Sequence, residues 1–164
     1  MSTHATGRMT SWGVGPKFAV ISIVMGLLAI FVNHYFFASL LLPYNLFRFS
    51  FGVGLIILGL VMMLVAASQV HQAFNDGKLI TSGIYSYVRD PVYAAWILLI
   101  VPGLFLATGI PFLIVMPFAM YALIRTLIID EERYLEQKFG KEYLDYKKTV
   151  NSIVPKMHRK KQNK

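Results

Sequence analysis

Three stretches without a single Asp, Glu, Lys or Arg frame this chain: residues 18–47, 49–75 and 91–124. A membrane-crossing helix needs roughly 20 apolar residues, with about 17 as the lower limit, and each stretch reaches that length. The first predicts a helix over 18–38, with Asn33 and His34 near its far end. Pro43 lies in the connection that follows, and a single cation, Arg48, stands at the edge of a second helix over 49–70. Gly52, Gly54 and Gly59 in that helix permit close helix contact, because backbones approach freely where no Cβ intervenes. His71, Gln72, Asn75, Asp76 and Lys78 then mark a return to water.

The third stretch is too long for one span and short for two. Thr108-Gly109-Ile110-Pro111 is a turn signal near its middle, which divides it into a third helix over 92–107 and a fourth over 111–129. Pro102-Gly103 should kink the third, since proline lacks the N–H and crowds the preceding turn. A re-entrant hairpin that does not cross fully is the alternative. Beyond it, Leu135, Phe139, Tyr143 and Tyr146 recur at helical spacing against Glu and Lys over 130–148. That pattern predicts an amphipathic helix continuing from the fourth. The expected fold is all-α: an integral membrane bundle of about four transmembrane helices plus a C-terminal amphipathic helix. We read 1–164 as one domain, with a flexible N-terminus over 1–16 and a basic tail over 157–164.

Charge gives the bundle an orientation. Sixteen basic residues face eight acidic ones, for a net charge of +8, and only 15% of residues are charged, against about 25% in ordinary globular proteins. Ten of the basic residues fall in 130–164, next to membrane, where anionic lipid rather than nucleic acid is the expected partner. Four spans put both termini and the 71–91 loop on one side, and that side carries nearly all Lys and Arg. The positive-inside rule therefore places them in the cytoplasm. No cleavable signal is expected, because the first apolar run is spanning length. The absence of cysteine excludes disulfides and thiolate catalysis. His71 has no second His nearby, so no metal site is expected.

Candidate chemistry gathers at the cytoplasmic edge. Residues 79–93, LITSGIYSYVRDPVY, hold Gly83, Tyr85, Arg89, Pro91 and Tyr93 between apolar runs. Pro91 in a helix's first turn leaves neighbouring amides free for an anion. Tyr85, Tyr87 and Tyr93 can stack a purine or serve as an aromatic belt. Asp130, Glu131 and Glu132 are three consecutive carboxylates at a membrane edge, able to hold a cationic ligand or take a proton from an amine. Arg125 lies one to two turns inside that edge, where a guanidinium needs a partner, a wet cavity or a lipid phosphate.

These residues carry a resemblance. LITSGIYSYVRDPVY resembles the L-[VI]-T-x-G-x-Y-x-x-x-R-[HN]-P-x-Y block of the isoprenylcysteine carboxyl methyltransferase and phospholipid methyltransferase group. EERYLEQKFGKEYLDYKKTV, at 131–150, is similar to that group's second block, E-E-x-x-L-x-x-x-F-G-x-x-Y-x-x-Y. Together they mark 79–155 as the motif-bearing core. The resemblance implies a membrane enzyme that binds S-adenosylmethionine between loop, hairpin and tail. Carried over by position, Lys78, Leu79, Ile80, Gly83, Tyr85, Arg89, Pro91 and Tyr93 would line the cofactor side, and Glu131 and Glu132 would close it. Arg89 and Glu132 are the expected catalytic residues: Glu132 to fix the donor or act as base, Arg89 to orient the loop or an anionic group. The acceptor would be a lipid amine or a lipidated carboxylate.

Three positions depart from the group's pattern. Asp90 replaces the usual His or Asn, Ala95 stands where Gly often occurs, and Ser152 falls where V-x-R-x-x-P places Arg. Loss of that Arg tilts the expected acceptor toward an amine, which needs a base, and away from a carboxylate, which needs a cation. The alternatives are a sterol-type reductase using a nicotinamide dinucleotide and a non-enzymatic four-helix transporter or assembly protein. Oligomeric state leaves no readable pattern.

Overall fold

A computed structural model describes residues 13–155, apart from the side chains at 39 and 74–76. The expected flexible N-terminus is therefore described only from Gly13, and the expected basic tail over 157–164 lies outside the described residues. Among the described residues, four helices are long and apolar enough to cross a membrane. Helix α1 spans Gly15–Phe36 and opens with Pro16, whose fixed φ suits a first turn. Helix α2 spans Leu46–Asp76, longer than the apolar run by a full turn and more, so His71 is still helical. It stops at Gly77, φ 65°, where the Lys78 amide closes back on the Ala73 carbonyl at 3.1 Å. A left-handed glycine after the last turn is the usual way to end a helix.

Helix α3 spans Pro91–Thr108, a single run long and apolar enough to cross a membrane. Pro102 cannot donate to the turn before it, and the ladder accommodates this with a π-helical turn at Trp96–Ile100, in which Val101 N–H reaches Trp96 O. Gly109, φ 71°, then ends the helix. After a 3₁₀ turn at Pro111–Ile114, helix α4 runs over Met116–Phe139. The amphipathic tail does not simply continue it. Gly140, φ 54°, breaks the chain, and a separate helix α5 spans Lys141–Thr149. Among the described residues there is no strand, so the architecture is all-α and the chain is an integral membrane protein.

Packing centres on α3. Tyr93, Ala94, Ile97 and Val101 from α3 meet Phe18 of α1, Met116, Met120, Ile124 and Ile128 of α4, and Ile153 of the tail in one buried core. Helices α2 and α3 approach through glycine. A Cβ built on Gly52 would lie 2.6 Å from Gly103 O, and one on Gly103 would lie 2.7 Å from Gly52 O. Since lipid is as apolar as the side chains, this close fit rather than a hydrophobic drive holds the pair. At one end of the bundle Arg48 Nε donates to Leu106 O at 2.9 Å, satisfying a helix-end carbonyl. The opposite end gathers the start of α1, the end of α2, the 77–90 loop, the end of α4 and α5.

Candidate functional site

The loop before α3 is clamped from two sides. Gly83, φ 61°, presses so close to α2 that a Cβ would sit 2.7 Å from the Gln69 amide nitrogen. Tyr85, within the 3₁₀ turn Gly83–Ser86, donates its hydroxyl to Ala66 O of α2 at 3.3 Å. Tyr146 of α5 donates to Tyr85 O at 2.7 Å. Further along, Arg89 N–H bonds Asn151 O at 2.8 Å and Asp90 N–H bonds Ser152 O at 2.9 Å. The two blocks separated in sequence thus meet through main-chain bonds, which explains why a polar loop can be held rigidly beside a membrane.

Arg89 sits at the centre of the charge. Its side chain is 8% exposed, its Nη2 donates to Glu132 Oε1, and its guanidinium lies 5.8 Å from the Tyr143 ring centroid. Glu132 also pairs with Lys147 at 2.8 Å, and Lys147 pairs with Glu136 at 2.7 Å. Hydrogen bonds to these two carboxylates push the Lys147 ammonium above its ordinary pKa. Asp90, the least explicable residue of the loop from sequence, accepts a hydrogen bond from Ser152 Oγ at 2.5 Å and lies 3.9 Å from Arg89 Nε. Burial pushes its carboxyl up to about 6, against the lowering effects of Ser152 and Arg89. Burial also raises the phenol pKa of Tyr85, Tyr143 and Tyr146, so these hydroxyls stay protonated and are unsuited to act as bases.

One cavity of about 510 Å³ brings most of the expected residues together: Lys78, Leu79, Ile80, Tyr85, Arg89, Pro91, Tyr93 and Glu131 all line it. Gly83 and Glu132 do not; Gly83 seats the loop on α2, and Glu132 faces a second, smaller cavity with Arg89 and Lys147. Consecutive helix residues point about 100° apart, so Glu131 and Glu132 part company: one carboxylate serves the large cavity, the other serves Arg89.

Sequence reading missed other walls. Gly13 and Gly15 line the large cavity, and Val14 N–H approaches Glu131 Oε2 at 3.5 Å. No periodicity marks that segment. Asp90, Tyr143 and Tyr146 also line it, as do Met63, Leu64, Ala67 and Val92 from the membrane helices. The Tyr143 and Tyr146 spacing did announce an inward face, though not what it faces.

The lining suits a ligand carrying both charges and an aromatic ring. Glu131 and Asp90 can meet cationic groups. Arg89 brings a guanidinium to the wall, a group that can meet an anion. Tyr93, packed edge-on to Phe18 at 5.0 Å, and Tyr85 supply aromatic surface.

Comparison with known proteins fits this geometry. Residues 52–137, just over half of the chain, match the model of the isoprenylcysteine carboxyl methyltransferase (ICMT) family, a span running from α2 to the end of α4. The chain is similar to Protein-S-isoprenylcysteine O-methyltransferase of Dictyostelium discoideum, 38% identical over 84 residues, 51% of this chain and 35% of that protein. It is 28% identical to Protein-S-isoprenylcysteine O-methyltransferase B of Arabidopsis thaliana over 115 residues, 65% of this chain and 58% of that one. The Tribolium castaneum protein of the same name is 26% identical over 151 residues, 82% of this chain and 50% of that one. The chain therefore spans between about a third and three fifths of the length of these relatives. On the strength of the matched core, and with both sequence blocks folded against each other, the chain belongs to the isoprenylcysteine carboxyl methyltransferase family.

Proposed function

We propose that this chain is a membrane methyltransferase, moving a methyl group from S-adenosylmethionine to a lipidated carboxylate at the cytoplasmic interface. The observation that carries the reading is the composition of the large cavity's walls. Glu131, Asp90, Arg89, Tyr85 and Tyr93 line it together with apolar residues of α2 and α3. A water-soluble cationic donor and a membrane-held acceptor both find a matching wall. The 79–155 segment would be the catalytic core, and the concentration of Lys and Arg near this end of the bundle supports a cytoplasmic face.

When bound, S-adenosylmethionine supplies an electrophilic methyl group on a sulfonium. Glu131 would hold the donor's ammonium, Arg89 its carboxylate, and Tyr85 and Tyr93 its purine, with the main chain of Leu79 and Ile80 at the adenine edge. Glu132 acts through Arg89: by taking Nη2 it fixes the guanidinium. An acceptor carboxylate is already ionised at neutral pH, so no base is required. What the protein must supply is alignment of nucleophile and methyl, and a rigidly clamped loop serves that. The tyrosines, held protonated, are consistent with a reaction that needs no phenolate.

The tilt toward an amine that Ser152 suggested loses ground, because Arg89 and Ser152 line one cavity and Arg89 supplies a guanidinium there. The names of the relatives point to carboxyl chemistry too. A lipid amine is the second reading, favoured by Asp90, a buried carboxyl raised to about 6 and so within the range of a working base. Neither the reductase nor the transporter alternative gains support. Calorimetric titration separates methyl transfer from the reductase reading: S-adenosylmethionine should bind the purified chain, whereas binding of a reduced nicotinamide dinucleotide instead would overturn the assignment.

A further inference from the structure

The second cavity, of about 450 Å³, is lined by Arg89, Arg125, Glu132, Lys147, Asn151 and Ser152, together with Ile128, Ile129 and Val150. Two of its cations are already engaged, since Arg89 and Lys147 share Glu132. Arg125 has no carboxylate partner among the described residues, although its helix lies within a membrane span. A guanidinium at that depth needs an anion or water. Phe118, Tyr121, Arg125 and Ile129 follow at steps of three, four and four, which places them on one face of α4. All four are exposed, Phe118 at 74%, so this face looks away from the bundle. Phe118 and Tyr121 lie deeper toward the bilayer centre, and Arg125 nearer the end that carries Lys147 and the tail.

We infer that this cavity and stripe form a binding site for an anionic phospholipid, with its phosphate on Arg125 and its acyl chains along Tyr121 and Phe118. Charge and polarity run in the order that a lipid of that leaflet presents: anion outside, hydrocarbon inside. A guanidinium presents paired donors to phosphate oxygens, and Asn151 and Ser152 add polar surface beside it. Free phosphate would leave the apolar stripe uncovered. The large cavity has apolar walls of its own, Met63, Leu64 and Ala67 among them, and Arg89 lines both cavities. The inference does not depend on what the large cavity binds.

Native mass spectrometry of the delipidated full-length chain tests it, with phosphatidylglycerol, phosphatidylcholine, inorganic phosphate and S-farnesylcysteine as separate probes. Phosphatidylglycerol should be retained in preference to phosphatidylcholine by roughly fivefold, the scale expected for one basic side chain at a membrane surface. Inorganic phosphate should not displace it. Arg125→Gln should abolish the preference and Arg125→Lys should keep part of it. Ile129→Glu provides a check at an exposed position: a carboxylate one turn from Arg125 should compete with lipid and lower the preference. Equal retention of the two lipids by the wild-type protein would overturn the inference without any variant. So would a preference that survives Arg125→Gln, or displacement of phosphatidylglycerol by S-farnesylcysteine, which would make the cavity an acceptor site.

Discussion

Ser152 donates its hydroxyl to the Asp90 carboxylate across 2.5 Å, and the Asp90 amide returns a bond to Ser152 O at 2.9 Å. These are two of the positions at which the chain departs from the methyltransferase pattern. The departures are therefore not independent: the Ser152 hydroxyl stands directly against the Asp90 carboxyl. A buried carboxyl without a direct cation is costly, and the Ser152 bond with Arg89 nearby offsets part of that cost.

Asp90 should give the protein a pH-dependent stability. Its carboxyl is raised from 3.8 to about 6, chiefly by burial, so the fold favours the protonated form. Its contribution is fully present below pH 3.8 and is lost as pH rises through about 6. Asp90→Asn should remove that part of the slope. Thermal unfolding of both proteins at several values from pH 4 to pH 7 measures it, and parallel curves would refute the burial argument.

Arg89 should be more costly to remove than to keep paired. Arg89→Ala leaves Glu132 and Asp90 in a half-dry site, which costs about 3 kcal/mol or more where a buried pair is broken on one side. Glu132→Gln keeps a hydrogen-bond acceptor for Nη2 and should cost less. Unfolding by titrated sodium dodecyl sulfate compares the two, and equal losses would show that the pair is not a structural unit.

Glu131→Gln should weaken binding of S-adenosylmethionine by roughly tenfold or more, the worth of a charge-assisted hydrogen bond. Gly13→Ala should weaken it too without removing any charge. Its Cβ would lie 2.7 Å from Glu131 Oε1, at a backbone φ of 50° that side chains rarely adopt. Calorimetry on both variants decides whether the N-terminal segment belongs to the site; an unchanged affinity in Gly13→Ala would remove it.

The α2–α3 crossing should reject side chains selectively. Gly52→Val drives a Cβ to 2.6 Å from Gly103 O and Ala107 N, whereas Gly54→Val meets nothing within 4 Å. The yield of monodisperse protein in mild detergent should collapse for the first and persist for the second. Equal tolerance would mean that the helices do not pack at Gly52.

What was legible in the sequence follows from which forces act locally. The bilayer forbids uncompensated charge, so charge-free stretches announced four apolar helices, although α2 runs on to Asp76 and α4 to Phe139. The break between α4 and α5 was invisible because Leu135, Phe139, Tyr143 and Tyr146 keep helical spacing across Gly140, and spacing alone does not record a change of axis. The separation of Glu131 from Glu132 could have been read, since neighbours on a helix cannot face one cavity. The Asp90–Ser152 contact could not, because it arises only when the tail folds back onto the loop. The cavity walls at Gly13 and Gly15 were hidden for a different reason: a segment bound by main-chain and close-approach contacts carries no side-chain pattern.

The most direct test is methyl transfer itself. The purified chain, reconstituted in vesicles, would be given S-adenosylmethionine labelled in the transferable methyl group, with S-farnesylcysteine, its carboxamide, or phosphatidylethanolamine as acceptor. The account predicts label in a base-labile ester of the S-farnesylcysteine carboxylate, none in the carboxamide, and loss of the signal in Arg89→Ala. Label entering phosphatidylethanolamine alone would move the assignment to the amine reading, and no transfer to any of these while S-adenosylmethionine fails to bind would contradict it outright.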